Sequence, residues 1–167
     1  LGGGHEEHAL PGSEIFFAIV APTQRQAGLA VRAIRLVLDQ LAKVGVRYRE
    51  RASGDRTEIE IVEPKAAVTR VIAVMTAAPE WLRGYAIPVL VLEEAGHFGS
   101  DDQQASDREI LAAARPSQLQ FPARKLLLVG TPGPSGSVFE SYVTKPPNDA
   151  IVIRGATWEL NPRISEE

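Results

Sequence analysis

Two adjacent acids at the end of an apolar run are the side chains best suited to chemistry. Residues 89–98 read VLVLEEAGHF, so four aliphatic residues are followed directly by Glu93 and Glu94. Ligands of parallel α/β sheets bind outside the carboxyl ends of the strands, where such acids would lie. One carboxylate there can hold Mg²⁺, and a second can orient or deprotonate an attacking water. The pattern favours phosphoryl chemistry, although two surface acids that merely follow a strand would read the same way.

A hydroxyl follows a second apolar run in the same manner. Residues 126–136 read LLLVGTPGPSG, in which Thr131 comes directly after Gly130 and before a Pro/Gly turn. A hydroxyl at a strand end can hydrogen-bond an attacking water or a γ-phosphate and report its loss to a moving element. The alternative is an ordinary turn after a strand.

An arginine precedes the acid-bearing run. Arg83 lies between Trp81-Leu82 and Gly84, and an arginine beside a tight turn can reach far from the backbone. Its guanidinium can bind phosphate oxygens in a bidentate manner, even on a neighbouring subunit. The alternative is a surface arginine that covers Trp81.

Two further features are explained more simply by structure than by chemistry. His97 follows the acids, but a lone histidine is more often packed or hydrogen-bonded than a metal ligand. Residues 21–27, APTQRQA, could link a nucleotide site to DNA. We favour a helix cap there, because Thr23 and Gln26 have the spacing of a capping box.

Apolar runs that read as strands alternate with segments of helical period along the chain, which predicts an α/β protein with a mostly parallel sheet and flanking helices. We expect the acids of the strand at 57–62, Glu58 and Glu60, to be solvent-facing. In the second helix we expect Ser106 to cap with Glu109, three residues later, and Pro116 to end the helix. The expected strands are residues 14–20, 57–62, 69–75, 89–92, 125–129 and 151–153, and the expected helices are residues 23–43, 101–115 and 137–144.

Composition limits the classes of function. The 167 residues suffice for one domain, and they contain no cysteine, which excludes disulfides and thiol chemistry. No apolar run approaches the roughly 20 residues that cross a bilayer. The net charge of −3 lacks the basic excess of a nucleic-acid-binding domain. Four arginines do cluster at residues 47–56, which we interpret as a charged hairpin edge in preference to a DNA contact.

Four segments together resemble the large terminase subunits of tailed phages and prophages. They are FFAIVAPTQRQAGLAVRAIRLVL, WLRGYAIPVLVLEEAGHF, KLLLVGTPGPSGSVFESY and TWELNPRI, and they extend from about residue 15 to 164. Each motif is weak alone, but the order and spacing are fairly specific. The resemblance implies an incomplete P-loop NTPase core of the RecA/ASCE-like kind.

The resemblance also implies a role for each candidate residue. The strand at 89–92 resembles a Walker B strand, in which Glu93 matches the acid that coordinates Mg²⁺ and Glu94 matches the catalytic glutamate. Arg83 matches a region from which terminases place an arginine on the nucleotide of the adjacent subunit. Thr131 matches the coupling motif that senses the γ-phosphate. Trp158 and Asn161-Pro162 resemble the segment that leads out of the ATPase core.

A terminase-like function would need ATP and Mg²⁺ as cofactors and would move viral double-stranded DNA into procapsids. By family analogy the parent protein forms a homo-oligomeric ring, contacts a portal protein and a small terminase subunit, and works in the host bacterial cytoplasm without a membrane. Two alternatives remain open. One is a fragment of a helicase-like P-loop translocase, and the other is a non-enzymatic α/β interaction domain with incidental acids.

The sequence departs from the family pattern in two respects. Glu93 stands where the family usually has Asp, and no G-x-x-x-x-G-K-[ST] loop occurs, since Gly2-Gly3-Gly4 lacks the Lys and the hydroxyl. We therefore expect residues 1–157 to be a partial ATPase domain and residues 158–167 to begin a linker toward an absent nuclease domain. Without the loop we expect this fragment to hydrolyse ATP poorly or not at all.

Overall fold

A six-stranded mixed sheet forms the centre of the protein in the computed structural model, which describes residues 4–53, 56–99, 105–133, 136–161 and 163. The strand order is β2-β3-β4-β1-β5-β6. β1 runs parallel to β4 and β5, and β5 runs parallel to β6. Only β3 opposes its neighbours, so the mostly parallel sheet is confirmed. The strands are β1 Glu14–Ala21, β2 Arg47–Ser53, β3 Arg56–Val62, β4 Thr69–Thr76, β5 Ala86–Leu92 and β6 Lys125–Leu128.

Helices flank both faces of this sheet. The helices of the described residues are α1 Gln24–Ala42, α2 Asp107–Gln118, α3 Val138–Thr144 and the single turn α4 Thr157–Leu160. α1 packs through Ala27 and Val31 against one face, and α2 packs through Ile110 and Ala114 against the other. The α/β class with flanking helices is therefore confirmed. None of the helices in the described ranges has the length and apolarity to cross a membrane.

The start of α1 follows the local chemistry of its first residues. The Thr23 hydroxyl accepts a hydrogen bond from the Gln26 backbone N–H at 3.3 Å and donates to the Gln26 side-chain oxygen at 2.7 Å. Thr23 is thus the expected cap. The helix ends before Gly45, whose φ of 96° lies in the left-handed region that favours glycine. This single helix occupies the connection between β1 and the β2–β3 hairpin.

The helix α2 begins and ends later than the sequence predicted, at Asp107 and Gln118 where residues 101 and 115 were expected. Its start carries a complete capping box between Ser106 and Glu109, as expected. Residues 101–104, which we expected to belong to the helix, lie outside the described residues. Pro116 does not end the helix, which continues to Gln118. Proline lacks the backbone N–H that would donate one helical hydrogen bond. Because only two helical residues follow Pro116, this loss affects the last turn alone.

The expectation that Glu58 and Glu60 face solvent is wrong. Both lie on β3 and are buried, with 7% and 8% of their surface exposed. Arginine side chains cover them. Glu60 pairs with Arg49 at 2.7 Å, and Glu58 pairs with Arg51 at 2.9 Å. An alternating pattern identifies the apolar face and the polar face of a strand. The polar face is nevertheless buried when the aliphatic stems of neighbouring arginines cover it.

The expected strand at residues 151–153 is absent from the structure. Ile151 and Ile153 are 90% and 79% exposed and lie in irregular backbone. A short β-branched run remains a strand only when a neighbour takes its backbone hydrogen bonds. β6 is the outermost strand on this side of the sheet. Its aliphatic run leaves Leu127 and the following Val129 exposed to 42% and 54%.

Candidate active site

The candidate site lies where β1, β5 and β6 end at the same edge of the sheet. Backbone hydrogen bonds continue past the strands and hold the three chain segments together. The Glu93 N–H donates to the carbonyl of Val20 at 2.9 Å. The Val129 N–H donates to the Leu92 carbonyl at 3.0 Å, and the Ala95 N–H donates to the Val129 carbonyl at 2.9 Å. The acid-bearing turn is therefore fixed between the two neighbouring strands.

Glu93 occupies a partly buried place with an unsatisfied carboxylate oxygen. Its Oε2 atom is inaccessible to solvent and has no hydrogen-bond partner among the described residues. Burial, and secondarily the charge of Glu94, raise the pKa of Glu93 above its ordinary value. A buried, unpaired carboxylate oxygen is costly unless a cation or a bound water approaches it. Glu93 therefore has the chemistry of a ligand for a hard cation.

The donor set fits Mg²⁺ better than a metal that needs several protein ligands. Within the part of the chain that the structure describes, no three His, Cys, Asp or Glu side chains are grouped to hold a metal. Mg²⁺ prefers oxygen ligands and commonly keeps several waters, with one or two carboxylates and phosphate oxygens completing its shell. One carboxylate such as Glu93 satisfies that pattern.

Glu94 adopts a backbone conformation that is uncommon for a side-chain-bearing residue. Its φ of 52° and ψ of 44° lie in the left-handed helical region. Such a conformation costs on the order of 1 kcal/mol and persists where the surroundings impose it. It begins a 3₁₀ turn, Ala95–His97, and turns the chain sharply after the first acid.

Three glycines allow the acid-bearing turn to contact the segment after β6 through backbone atoms. A Cβ atom at Gly130 would lie 2.8 Å from the nitrogen of Ala95. A Cβ atom at Gly96 would lie 2.3 Å from the carbonyl oxygen of Thr131. At Gly133 it would lie 1.6 Å from the oxygen of Gly96. No larger residue fits these positions unless the backbone shifts.

The Thr131 hydroxyl lies next to this turn. Thr131 is exposed, and its Oγ1 is 3.1 Å from the Nε2 atom of His97. The structure therefore brings Thr131 to the same edge as the two acids, one strand away. Sequence reasoning missed the contact with His97, since nothing in the spacing of 34 residues between them indicates it.

Arg83 lies at the opposite end of the strands, just before β5 begins. β5 separates it from the acids, and seven residues at about 3.3 Å each place it roughly 20 Å from them along the strand. The carbonyl of the adjacent Leu82 accepts a hydrogen bond from Ser117 in the last turn of α2. The structure thus does not bring Arg83 together with Glu93, Glu94 and Thr131.

The arginine that covers Trp81 is Arg56 and not Arg83. Its guanidinium carbon lies 4.7 Å from the centre of a Trp81 ring, and its Nη1 donates to the Tyr85 hydroxyl at 2.7 Å. Arg56 also forms an ion pair with Glu58 at 2.8 Å. With Arg49 and Arg51 paired as well, three of the four clustered arginines are neutralised by carboxylates. This agrees with the charged-hairpin interpretation of residues 47–56.

Comparison with known proteins gives structural similarities only. No family model matches the chain, and no curated protein does. The ATPase domain of the Thermus phage P74-26 large terminase is similar, with 21% identity and a TM-score of 0.47, over 73% of this chain and 49% of that one. The large terminase of a thermophilic bacteriophage, in complex with ADP, is 14% identical with a TM-score of 0.46, over 71% of this chain and 26% of that one.

The chain thus spans about half of the first of these proteins and about a quarter of the second. Both of these solved structures are large terminases of phages or their ATPase domains.

Proposed function

We propose that this chain is part of the ATPase core of a viral DNA-packaging motor, the large terminase subunit, which moves double-stranded DNA into procapsids. The observation that carries the proposal is the meeting of two acids and a hydroxyl at one edge of a parallel sheet. Glu93 and Glu94 end β5, and Thr131 follows the neighbouring strand β6. The order of the motifs along the chain supports the same function.

In this proposal ATP and Mg²⁺ bind at the edge formed by β1, β5 and β6. Bound Mg²⁺ would neutralise charge on the phosphate oxygens. Glu93 holds it, directly or through water, by the buried oxygen that has no partner among the described residues. Glu has one methylene more than the usual Asp, and the oxygen remains a suitable ligand at a slightly different position.

Glu94 and Thr131 act on the reacting water and the γ-phosphate. Glu94 orients or deprotonates the attacking water, and the rigid turn around it holds the geometry that such a step requires. The Thr131 hydroxyl donates to the γ-phosphate or to the water and loses that partner after hydrolysis. Thr131 and the acid-bearing turn are in close backbone contact. In this proposal a shift of one segment displaces the other.

Arg83 acts on a neighbouring subunit in this proposal. Its distance from the acids of its own chain excludes a contact with the same nucleotide in the described arrangement. An arginine at the far end of the strands can reach the phosphates bound by an adjacent copy in a ring. The motor would contact a portal protein and a small terminase subunit and would act in the host cytoplasm.

Hydrolysis in the longer protein tests the proposal. A protein that carries this chain together with an upstream phosphate-binding loop should hydrolyse ATP with Mg²⁺ and faster with double-stranded DNA, while the 167-residue chain should show little turnover. The linear DNA protected from nuclease inside procapsids measures packaging. Turnover without packaging would favour a helicase-like translocase. Failure of the longer protein to bind Mg²⁺–nucleotide would favour a non-enzymatic interaction domain.

A further inference from the structure

The side chain of His97, on the acid-bearing turn, contacts the hydroxyl proposed to sense phosphate. Its Nε2 atom is 3.1 Å from Thr131 Oγ1. The backbone of His97 is fixed as well, since its N–H donates to the Glu94 carbonyl at 2.8 Å. The ring is therefore held on the same short turn as the catalytic candidate Glu94.

The direction of the Thr131 hydroxyl proton depends on this contact. A threonine hydroxyl has one hydrogen to donate and two lone pairs that accept. If His97 Nε2 carries a hydrogen and donates it, Thr131 accepts from His97 and keeps its own hydrogen for another acceptor. If Nε2 accepts instead, the hydroxyl hydrogen points at the ring, and Thr131 has no donor left for a phosphate oxygen.

We propose that His97 is a positioning residue that donates its Nε2–H to Thr131 and thereby aims the Thr131 hydroxyl at the nucleotide. This inference rests on the proposed function, in which Thr131 donates to the γ-phosphate or the attacking water. The glycine contacts support it, because Gly96, beside His97, packs against the Thr131 carbonyl and Gly133. The backbones on both sides of the hydrogen bond are thus held in register.

The contact also gives a physical route between the acids and Thr131. A movement of the Thr131 segment on phosphate release would pull His97 through the hydrogen bond and would strain the turn that carries Glu94. His97 would then act through Thr131 and not on the nucleotide itself. The effects of altering either residue should accordingly not add.

The protonated nitrogen of His97 is measured in the 167-residue chain without nucleotide. Two-bond ¹H–¹⁵N spectra distinguish the ring tautomers, and His97→Gln identifies the His97 signals among the three histidines. We expect hydrogen on Nε2. Thr131→Val should shift the Nε2 resonance, and Thr131→Ser should retain the wild-type position. Hydrogen on Nδ1 alone, or no response to Thr131→Val, would overturn the proposal.

Steady-state hydrolysis by the longer protein measures the functional role. His97→Ala should lower kcat about 10-fold with KM for ATP within about 2-fold, as outer-shell partners of active-site groups do. His97→Gln, whose amide can donate to the hydroxyl, should recover most of the loss. The double variant His97→Ala/Thr131→Val should be no slower than Thr131→Val alone, and additive losses would contradict the role. An inactive wild type would instead refute the proposed function, while the tautomer measurement still decides the hydrogen bond.

Discussion

The backbone of Gly133 packs against the carbonyl oxygen of Gly96, so that a Cβ atom at position 133 would lie 1.6 Å from that oxygen. The contact joins two loops that are 37 residues apart in sequence. It places the segment after β6 directly on the turn that carries the acid pair. The arrangement of the site therefore depends on glycines as much as on the side chains that would do chemistry.

Gly133→Ala should destabilise the protein, because the added methyl forces the two loops apart. Overpacking of this kind costs typically about 1–3 kcal/mol. Gly28→Ala is a suitable control. Gly28 lies inside α1 with nothing within 4 Å of an added Cβ, so alanine should stabilise the helix by about 0.5–1 kcal/mol. Urea unfolding followed by circular dichroism measures both changes, and a Gly133→Ala chain as stable as wild type would contradict the close contact.

Glu94→Gln in the longer protein should abolish ATP hydrolysis and retain ATP binding. The amide preserves the size of the side chain but cannot accept a proton from the attacking water. Single-turnover hydrolysis and fluorescent-nucleotide binding measure the two properties separately. Retained turnover would show that Glu94 is not the catalytic base, whereas joint loss of binding and turnover would indicate that the substitution disturbs the fold of the site.

Glu93→Gln should make the 167-residue chain more stable at neutral pH. The folded protein raises the pKa of Glu93 above the ordinary 4.5, so between those two values the folded state binds more protons than the unfolded chain. The contribution of this carboxyl to stability is therefore lost as pH rises through its folded pKa. A neutral glutamine removes that loss.

The pH dependence gives the test for Glu93. As pH rises from below 4.5 to neutral, the denaturant midpoint should change less in Glu93→Gln than in wild type. Glu94→Gln should weaken the effect only in part, because burial contributes more to the raised pKa than the charge of Glu94. An equal pH dependence in wild type and Glu93→Gln would show that Glu93 ionises freely.

Arg56→Ala should destabilise the chain by roughly 2 kcal/mol. It removes the guanidinium over Trp81 and one of the two ion-pair partners of the buried Glu58. Arg32→Ala on the exposed side of α1 is the control and should change stability by no more than about 0.5 kcal/mol. Thermal unfolding of the two variants distinguishes them, and equal midpoints would contradict a structural role for Arg56.

Local sequence chemistry predicted the frame of this fold well. The cap of α1 at Thr23, the capping box of α2 and the strand that delivers Glu93 all depend on neighbours within a few residues, and each is present in the structure. The edge at which the acids and Thr131 meet could also be predicted, because the carboxyl ends of parallel strands lie together.

Contacts between distant segments could not be predicted in this way. The hydrogen bond between His97 and Thr131 and the glycine contacts depend on how two loops meet. The burial of Glu58 depends on Arg51 from the neighbouring strand β2 as well as on Arg56 of its own strand. The segment at 151–153 has the composition of a strand, but composition does not supply the neighbour that a strand requires.

The outer side of β6 has a practical consequence for work with this chain. Among the described residues no strand pairs with its outer backbone groups, and Leu127 and Val129 beside them are exposed. An edge strand of this kind is a template for pairing with a strand of another chain. In a concentrated sample that chain is another copy of this protein. Light scattering should therefore rise with protein concentration, and Leu127→Lys should suppress the rise.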